Sequence, residues 1–212
     1  LQGSKMHLFG VLLTDVSNGF FADVAKALET EARKHGYSII LFNSNYNTDS
    51  EREYLDVVRR YRVDGVLAVP MRETSDVWQG YAQNLDVPVV AVTRQTKGLD
   101  SVYVDHAEAG KMVARYLLHQ GYQQYLFIGK DYDFKYVGFR HTLSAQGKAK
   151  NVSNIVYQND KQMKAALSAY LPCQKQRLGI FAGNDIYALR ILNFLRELQF
   201  IVPAEAGVIG FD

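Results

Sequence analysis

Val11-Leu12-Leu13-Thr14-Asp15-Val16-Ser17-Asn18-Gly19-Phe20-Phe21 is the stretch that decides how this chain reads. An apolar run with strand character ends in a polar turn, and two phenylalanines then open a segment with helical periodicity. Phe21, Val24, Ala25, Leu28 and Ala32 mark one helix face at 3.6-residue spacing. Lys34 and His35 suit the helix C-terminus, and Gly36 suits the position after it. Open α/β sheets bind ligands outside the carboxyl ends of their strands, at turns of this kind. The turn therefore predicts one wall of a small-molecule site.

The pattern repeats along the chain. Strands are predicted at 37–42, 66–69, 87–92 and 101–104, with helices at 50–61 and 74–84 between them. Ser50-x-x-Glu53 reads as a capping box that starts the first of these helices. Tyr54, Leu55, Val58 and Tyr61 are expected on its buried side. The run 87–92 is apolar without a break, as a strand buried on both faces requires. Past Asp105 the alternation restarts, with helices at 106–120, 136–146, 162–171 and 186–198. Strands are expected at 125–128, 154–157, 178–182 and 208–211. Regular alternation predicts parallel sheets covered on both faces by right-handed crossovers. The expected division is a cloning scar or linker at 1–6, one subdomain at 7–105 and a second at 106–212.

Composition narrows the function. The 212 residues carry 24 basic and 22 acidic side chains, a net charge of +2 that argues for no particular partner. Arg59-Arg60-Tyr61-Arg62 reads as the solvated end of a helix, not a nucleic-acid patch. One cysteine, Cys173, forbids an internal disulfide and fits a reducing, cytoplasmic setting. Cys173 and Trp78 are expected to pack. No apolar run approaches the ~20 residues of a membrane span. Leu1-Gln2-Gly3-Ser4 reads as a cloning scar, and further residues are expected beyond Asp212, where the chain stops at a strand-to-loop turn. The chain has no Gly-rich phosphate loop, no nucleophile elbow and no His/Cys metal spacing. No metal, cofactor or enzymatic activity is expected.

Several stretches in order resemble one family. Asp15-Val16-Ser17-Asn18-Gly19-Phe20-Phe21 resembles D-x-S-N-P-F-F, with Gly19 in place of proline. Arg62-Val63-Asp64-Gly65-Val66 resembles R-x-D-G-[IV], and Ser101-Val102-Tyr103-Val104-Asp105 resembles S-V-x-x-D. Gly110, Leu117, Gly121-Tyr122 and Phe127-Ile128-Gly129 follow G…L…G-[HY]…F-[IL]-G. Gly183-Asn184-Asp185-x-x-Ala188 resembles A-N-D-x-x-A, and Val202-Pro203 with Gly207-Val208-Ile209-Gly210-Phe211-Asp212 closes the set. Together they resemble the effector-binding core of the LacI/GalR family of bacterial transcription regulators, from about residue 8 to residue 212.

The resemblance implies a fold like the type I periplasmic binding proteins: two Rossmann-like three-layer α/β/α subdomains with parallel sheets around a hinge cleft. It implies a sugar or related small-molecule effector and a homodimer. It also implies operator DNA as a partner, through an N-terminal helix-turn-helix that these residues lack. A sugar-binding protein of a transporter shares fold and cleft and is the alternative.

The effector-binding residues implied are Asn18, Phe20, Arg94, Asp105, Lys135, Asn184 and Asp212. Each has a plainer reading. Asn18 either caps a helix or touches ligand. Adjacent helical residues point about 100° apart, so Phe21 belongs to the core and Phe20 is the one to stack on a ligand ring. Arg94 holds polar ligand atoms or a structural carboxylate. Asp105 is balanced between sugar hydroxyls and a helix cap. Asn184 is favoured for ligand and Asp185 for the cap. Thr93 stands where the family often has aspartate. Lys135 stands where it often has arginine, so the effector is held differently or carries a phosphate. Tyr132, Asp133, Phe134 and Tyr136 are expected to form an aromatic wall beside it.

Overall fold

A computed structural model of the protein describes residues 5–71, 75–84, 87–157, 159–173 and 176–211. It divides into two compact units, Leu1–Val104 and Asp105–Asp212. Each is a parallel sheet with helices on both faces.

In the first unit β1 (Leu8–Leu13) leads to α1 (Gly19–Lys34), then β2 (Ser38–Asn43), α2 (Thr48–Tyr61), β3 (Gly65–Ala68), α3 (Ser75–Asn84), β4 (Val89–Thr93) and β5 (Asp100–Tyr103). The sheet order is β2-β1-β3-β4-β5, all parallel. Side chains alternate across a strand, and β1 shows the consequence. Leu12 joins Phe42, Leu55, Val58 and Trp78 under α2 and α3. Val11 and Leu13 face the other way, where Phe21, Val24, Ala25 and Leu28 of α1 cover them.

The second unit repeats the plan with α4 (His106–His119), β6 (Gln124–Ile128), α5 (Phe134–Ala145), β7 (Val152–Ile155), α6 (Asp160–Tyr170), β8 (Leu178–Ala182), α7 (Asp185–Glu197) and β9 (Ala206–Ile209). Its order is β7-β6-β8-β9, again parallel. Leu126 and Ile128 of β6 pack with Met163 and Leu167 of α6 and Ile191 and Leu195 of α7. Tyr125 and Phe127 pack on the opposite face with Ala114, Leu117, Phe139 and Leu143 of α4 and α5.

The differences from expectation are local. Asn47, not Ser50, starts α2: its side chain accepts from the amides of Asp49 and Ser50. Ser50 lies within the helix, because the asparagine three residues upstream reaches the orphan amides first. Tyr61 is 53% exposed, since it falls in the last turn among Arg59, Arg60 and Arg62, which are exposed as expected. Asp133 caps α5, so that helix begins two residues early and takes in Phe134 and Lys135. Trp78 is fully buried. Cys173 is exposed, in a short 3₁₀ turn where only Leu171 is buried.

Candidate functional site

Both strand orders reverse direction once, and that reversal marks the ligand crevice of an open parallel sheet. In the first unit the switch lies between β1 and β3, and in the second between β6 and β8. The turns at the carboxyl ends of β1, β6 and β8 carry Asn18 and Phe20, Lys135, and Asn184.

The β1 turn is built on side-chain caps. Asp15 accepts from the Ser17 amide at 2.9 Å and from its hydroxyl at 2.6 Å. Asn18 caps α1, its Oδ1 accepting from the Phe20 amide at 3.0 Å. Val16 donates to Asn43 Oδ1 at 3.2 Å, which ties this turn to the end of β2. Phe20 and Phe21 meet edge to face, with centroids 5.2 Å apart. Phe21 packs on the β1 core, as its phase on the helix predicts. Phe20 is half-buried and lies outside that cluster.

Arg94 follows β4 and is exposed. Thr93 before it has φ +71°. A β-branched residue in the left-handed region is a backbone outlier, and such strain gathers at functional turns. No sequence signal marks it.

Four caps line the carboxyl edge of the second sheet, that of α6 being Asn159, which accepts from the Gln162 amide at 3.0 Å. Asp105 caps α4, accepting from the Glu108 amide at 2.9 Å. Asp133 accepts from the Lys135 amide at 2.9 Å. Asn184 accepts from the Tyr187 amide at 2.9 Å. The cap on α7 is therefore Asn184, and Asp185 is its first helical residue, a correction to the expected division between the two. Asn184 has extended backbone at φ −156°, ψ 174°, which suits a cap, whereas Asp185 is already in the helix. Capping engages the oxygen of the Asn184 side-chain amide.

Lys135 is brought against Asn184 through the intervening peptide: its Nζ donates to the Gly183 carbonyl at 2.5 Å. The same Nζ lies 3.7 Å from Asp133 Oδ2 and 4.9 Å from the centroid of the Phe211 ring. His106 meets the same ring edge to face, with centroids 5.5 Å apart. The expected aromatic wall is only partly formed. Tyr132 and Phe134 are exposed, but Tyr136 stacks on Phe127 at 5.1 Å and belongs to the core. Asp212 lies outside the described residues.

One aromatic pair was missed in the sequence. Tyr157, just past β7, and Tyr187, in the first turn of α7, meet edge to face at 4.8 Å. Burial first, and then the hydrogen bond to Tyr187, hold the Tyr157 phenol far above its usual range. It stays a neutral donor and acceptor. Nothing local in Ile155-Val156-Tyr157 distinguishes a site tyrosine from a packing one.

Among the described residues no group of three His, Cys, Asp or Glu side chains could hold a metal ion. No described helix is long and apolar enough to cross a membrane.

Two parallel α/β units, each with polar caps and aromatics gathered at its switch point, define a ligand-binding protein of the periplasmic-binding type. Residues 6–196 match the model of the family described as periplasmic binding proteins and sugar binding domain of LacI family. The chain belongs to that family. It is 28% identical to the sucrose operon repressor of Streptococcus mutans, over all of this chain and 66% of the repressor. It is 27% identical to the HTH-type transcriptional regulator RegA of Clostridium saccharobutylicum, over all of this chain and 67% of that protein. The chain thus spans about two thirds of the length of these relatives. A periplasmic binding protein/LacI transcriptional regulator from Alkaliphilus metalliredigens, solved with D-xylulofuranose, superposes with a TM-score of 0.80 at 26% identity. That match covers 97% of this chain and 78% of the solved one.

Proposed function

We propose that this chain is the effector-sensing part of a LacI-type transcription regulator and that its ligand is a sugar or sugar derivative. The carrying observation is that candidate side chains gather at the switch points of a chain matching the sugar-binding family over residues 6–196. Asn184 and Asp105 supply acceptors and donors for hydroxyls, Phe20 an apolar face for a ring, and Arg94 a planar donor fork. Asp212 is assigned to the same role through its match to the family pattern. The names of the relatives, a sucrose operon repressor and an HTH-type regulator, favour a regulator over a transport component.

In the full-length protein, a helix-turn-helix domain would read operator DNA in the cytoplasm, as a homodimer. Ligand that binds one conformation better than another shifts the population by that difference in affinity, and so changes operator occupancy. No residue is assigned a catalytic role.

A thermal-shift screen of sugars, sugar phosphates and purines tests the sensor. A ligand at about 100 times its Kd adds about 2.7 kcal/mol to folding. Operator retardation by the full-length protein, with and without the hit, tests the coupling. A hit that leaves operator binding unchanged sinks the regulatory part, and a bound sugar that is chemically turned over would show an enzyme instead.

A further inference from the structure

Lys135 occupies an odd position. It sits in the first turn of α5, where the helix dipole disfavours a cation. Its side chain is nonetheless only 12% exposed, so local partners must hold it. An ammonium has three donors. The Gly183 carbonyl takes one at 2.5 Å, the Asp133 carboxylate lies at 3.7 Å, and the Phe211 ring lies within cation–π range at 4.9 Å. These partners come from the turns after β6, β8 and β9, so one side chain laces three strand ends together.

The charges around it point the same way. The described strand-end turns and helix starts of this unit carry Lys130, Lys135 and Lys161 against Asp105, Glu108, Asp131, Asp133, Asp160 and Asp185. Helix N-termini ordinarily attract phosphate through their unpaired amides. Here the amides of Glu108, Lys135 and Tyr187 already donate to Asp105, Asp133 and Asn184. Each cap takes up one of the unpaired amides at its helix start, and the excess of carboxylates over lysines there disfavours an added anion. Neutral hydroxyls are what the Asn184 amide and the aspartate oxygens can still read.

We infer that Lys135 is a positioning residue that clamps the Gly183–Asn184 turn and Phe211, and that the site it supports takes an uncharged polyol in preference to a sugar phosphate. This rests on the sensor reading and names its ligand class.

The test is calorimetric titration of the chain with glucose, fructose, ribose and sucrose, and with glucose 6-phosphate, fructose 6-phosphate and ribose 5-phosphate. At least one free sugar binds, and its phosphate binds at least about tenfold more weakly, as an uncompensated anion beside aspartates should. Lys135→Met weakens the free sugar by about tenfold when measured well below the unfolding temperature, a loss that stability alone does not produce. Lys135→Arg, which keeps a donor for Gly183, restores most of it. Asp133→Asn keeps the cap but releases the lysine charge, and narrows the gap between sugar and phosphate. A phosphate that binds more tightly than its parent sugar, with the preference abolished in Lys135→Met, overturns the inference. If no sugar binds in either form, the sensor reading fails. The clamp is then judged without ligand: faster hydrogen exchange at the Tyr187 amide in Lys135→Met supports it, and unchanged exchange overturns it.

Discussion

A methyl group on Gly138 would lie 1.9 Å from the carbonyl oxygen of Ala107. The same holds in the reverse direction, where a Cβ on Gly110 would lie 2.0 Å from the Lys135 carbonyl. Helices α4 and α5 therefore cross at backbone contact, and neither obstacle is a side chain that can turn away. Alanine at either glycine forces the helices apart and displaces the Lys135 turn with them. We expect Gly138→Ala and Gly110→Ala each to cost about 3 kcal/mol, at the upper end of overpacking penalties, as a fall in the urea midpoint. A midpoint within error of wild type would show that the helices do not meet this closely.

Glu51 is fully buried in α2 and accepts from the Met71 amide at 3.2 Å and from the Trp78 indole. It joins α2 to α3 and to the turn after β3. Removing the carboxylate strands two buried donors, each at about 1–3 kcal/mol. Glu51→Ala should lose about 2–6 kcal/mol on that count, and Glu51→Gln, which keeps an acceptor, clearly less. Trp78 is the single tryptophan, so its emission reports both the local change and the unfolding curve.

The two phenylalanines of the β1 turn should separate stability from binding. Phe21 packs in the core under α1 and Phe20 does not. Phe21→Ala is expected to lower stability by about 2 kcal/mol, less than a fully buried phenylalanine because it is only partly covered. Phe20→Ala should cost about 1 kcal/mol, mostly its edge-to-face pairing. It should nonetheless weaken sugar binding by about tenfold, the worth of one ring contact near 1.4 kcal/mol. Equal effects of both on stability and none on affinity would return Phe20 to the core.

Caps and ligand contacts can be separated at Asn184 and Asp105. Asparagine and aspartate cap helices about equally well, whereas alanine loses about 1 kcal/mol. Asn184→Asp should keep the α7 cap and the melting temperature but remove the amide donor, and effector affinity should fall. Asp105→Asn should keep the α4 cap and remove a charge. If the conservative variants bind as wild type while the alanines only melt earlier, both residues serve folding alone. Paired melting curves and titrations decide it.

Much of this molecule is legible along the chain, because its organising interactions are local. Strand and helix periodicities depend on nearest neighbours, and so does the run of Asx residues at strand ends. Even there, competition between neighbours escaped the pattern: Asn47 displaced Ser50 as the α2 cap, and Asn184 displaced Asp185 on α7. A capping motif says that a helix starts, but backbone conformation selects which residue accepts.

The sequence alone determined the α/β alternation, the phase that sends Phe21 inward, and the family, through an ordered set of short motifs. Only the tertiary structure decided the strand orders, and with them the switch points that gather Asn18, Phe20, Lys135 and Asn184 at strand ends. Strand order is a matter of pairing between residues far apart in the chain, such as Phe9 with Gly65 or Leu126 with Ile180. The surroundings of Lys135 are likewise set at a distance. Whether a lysine meets a ligand or a carbonyl depends on what folding places within reach, and here that is Gly183, 48 residues away.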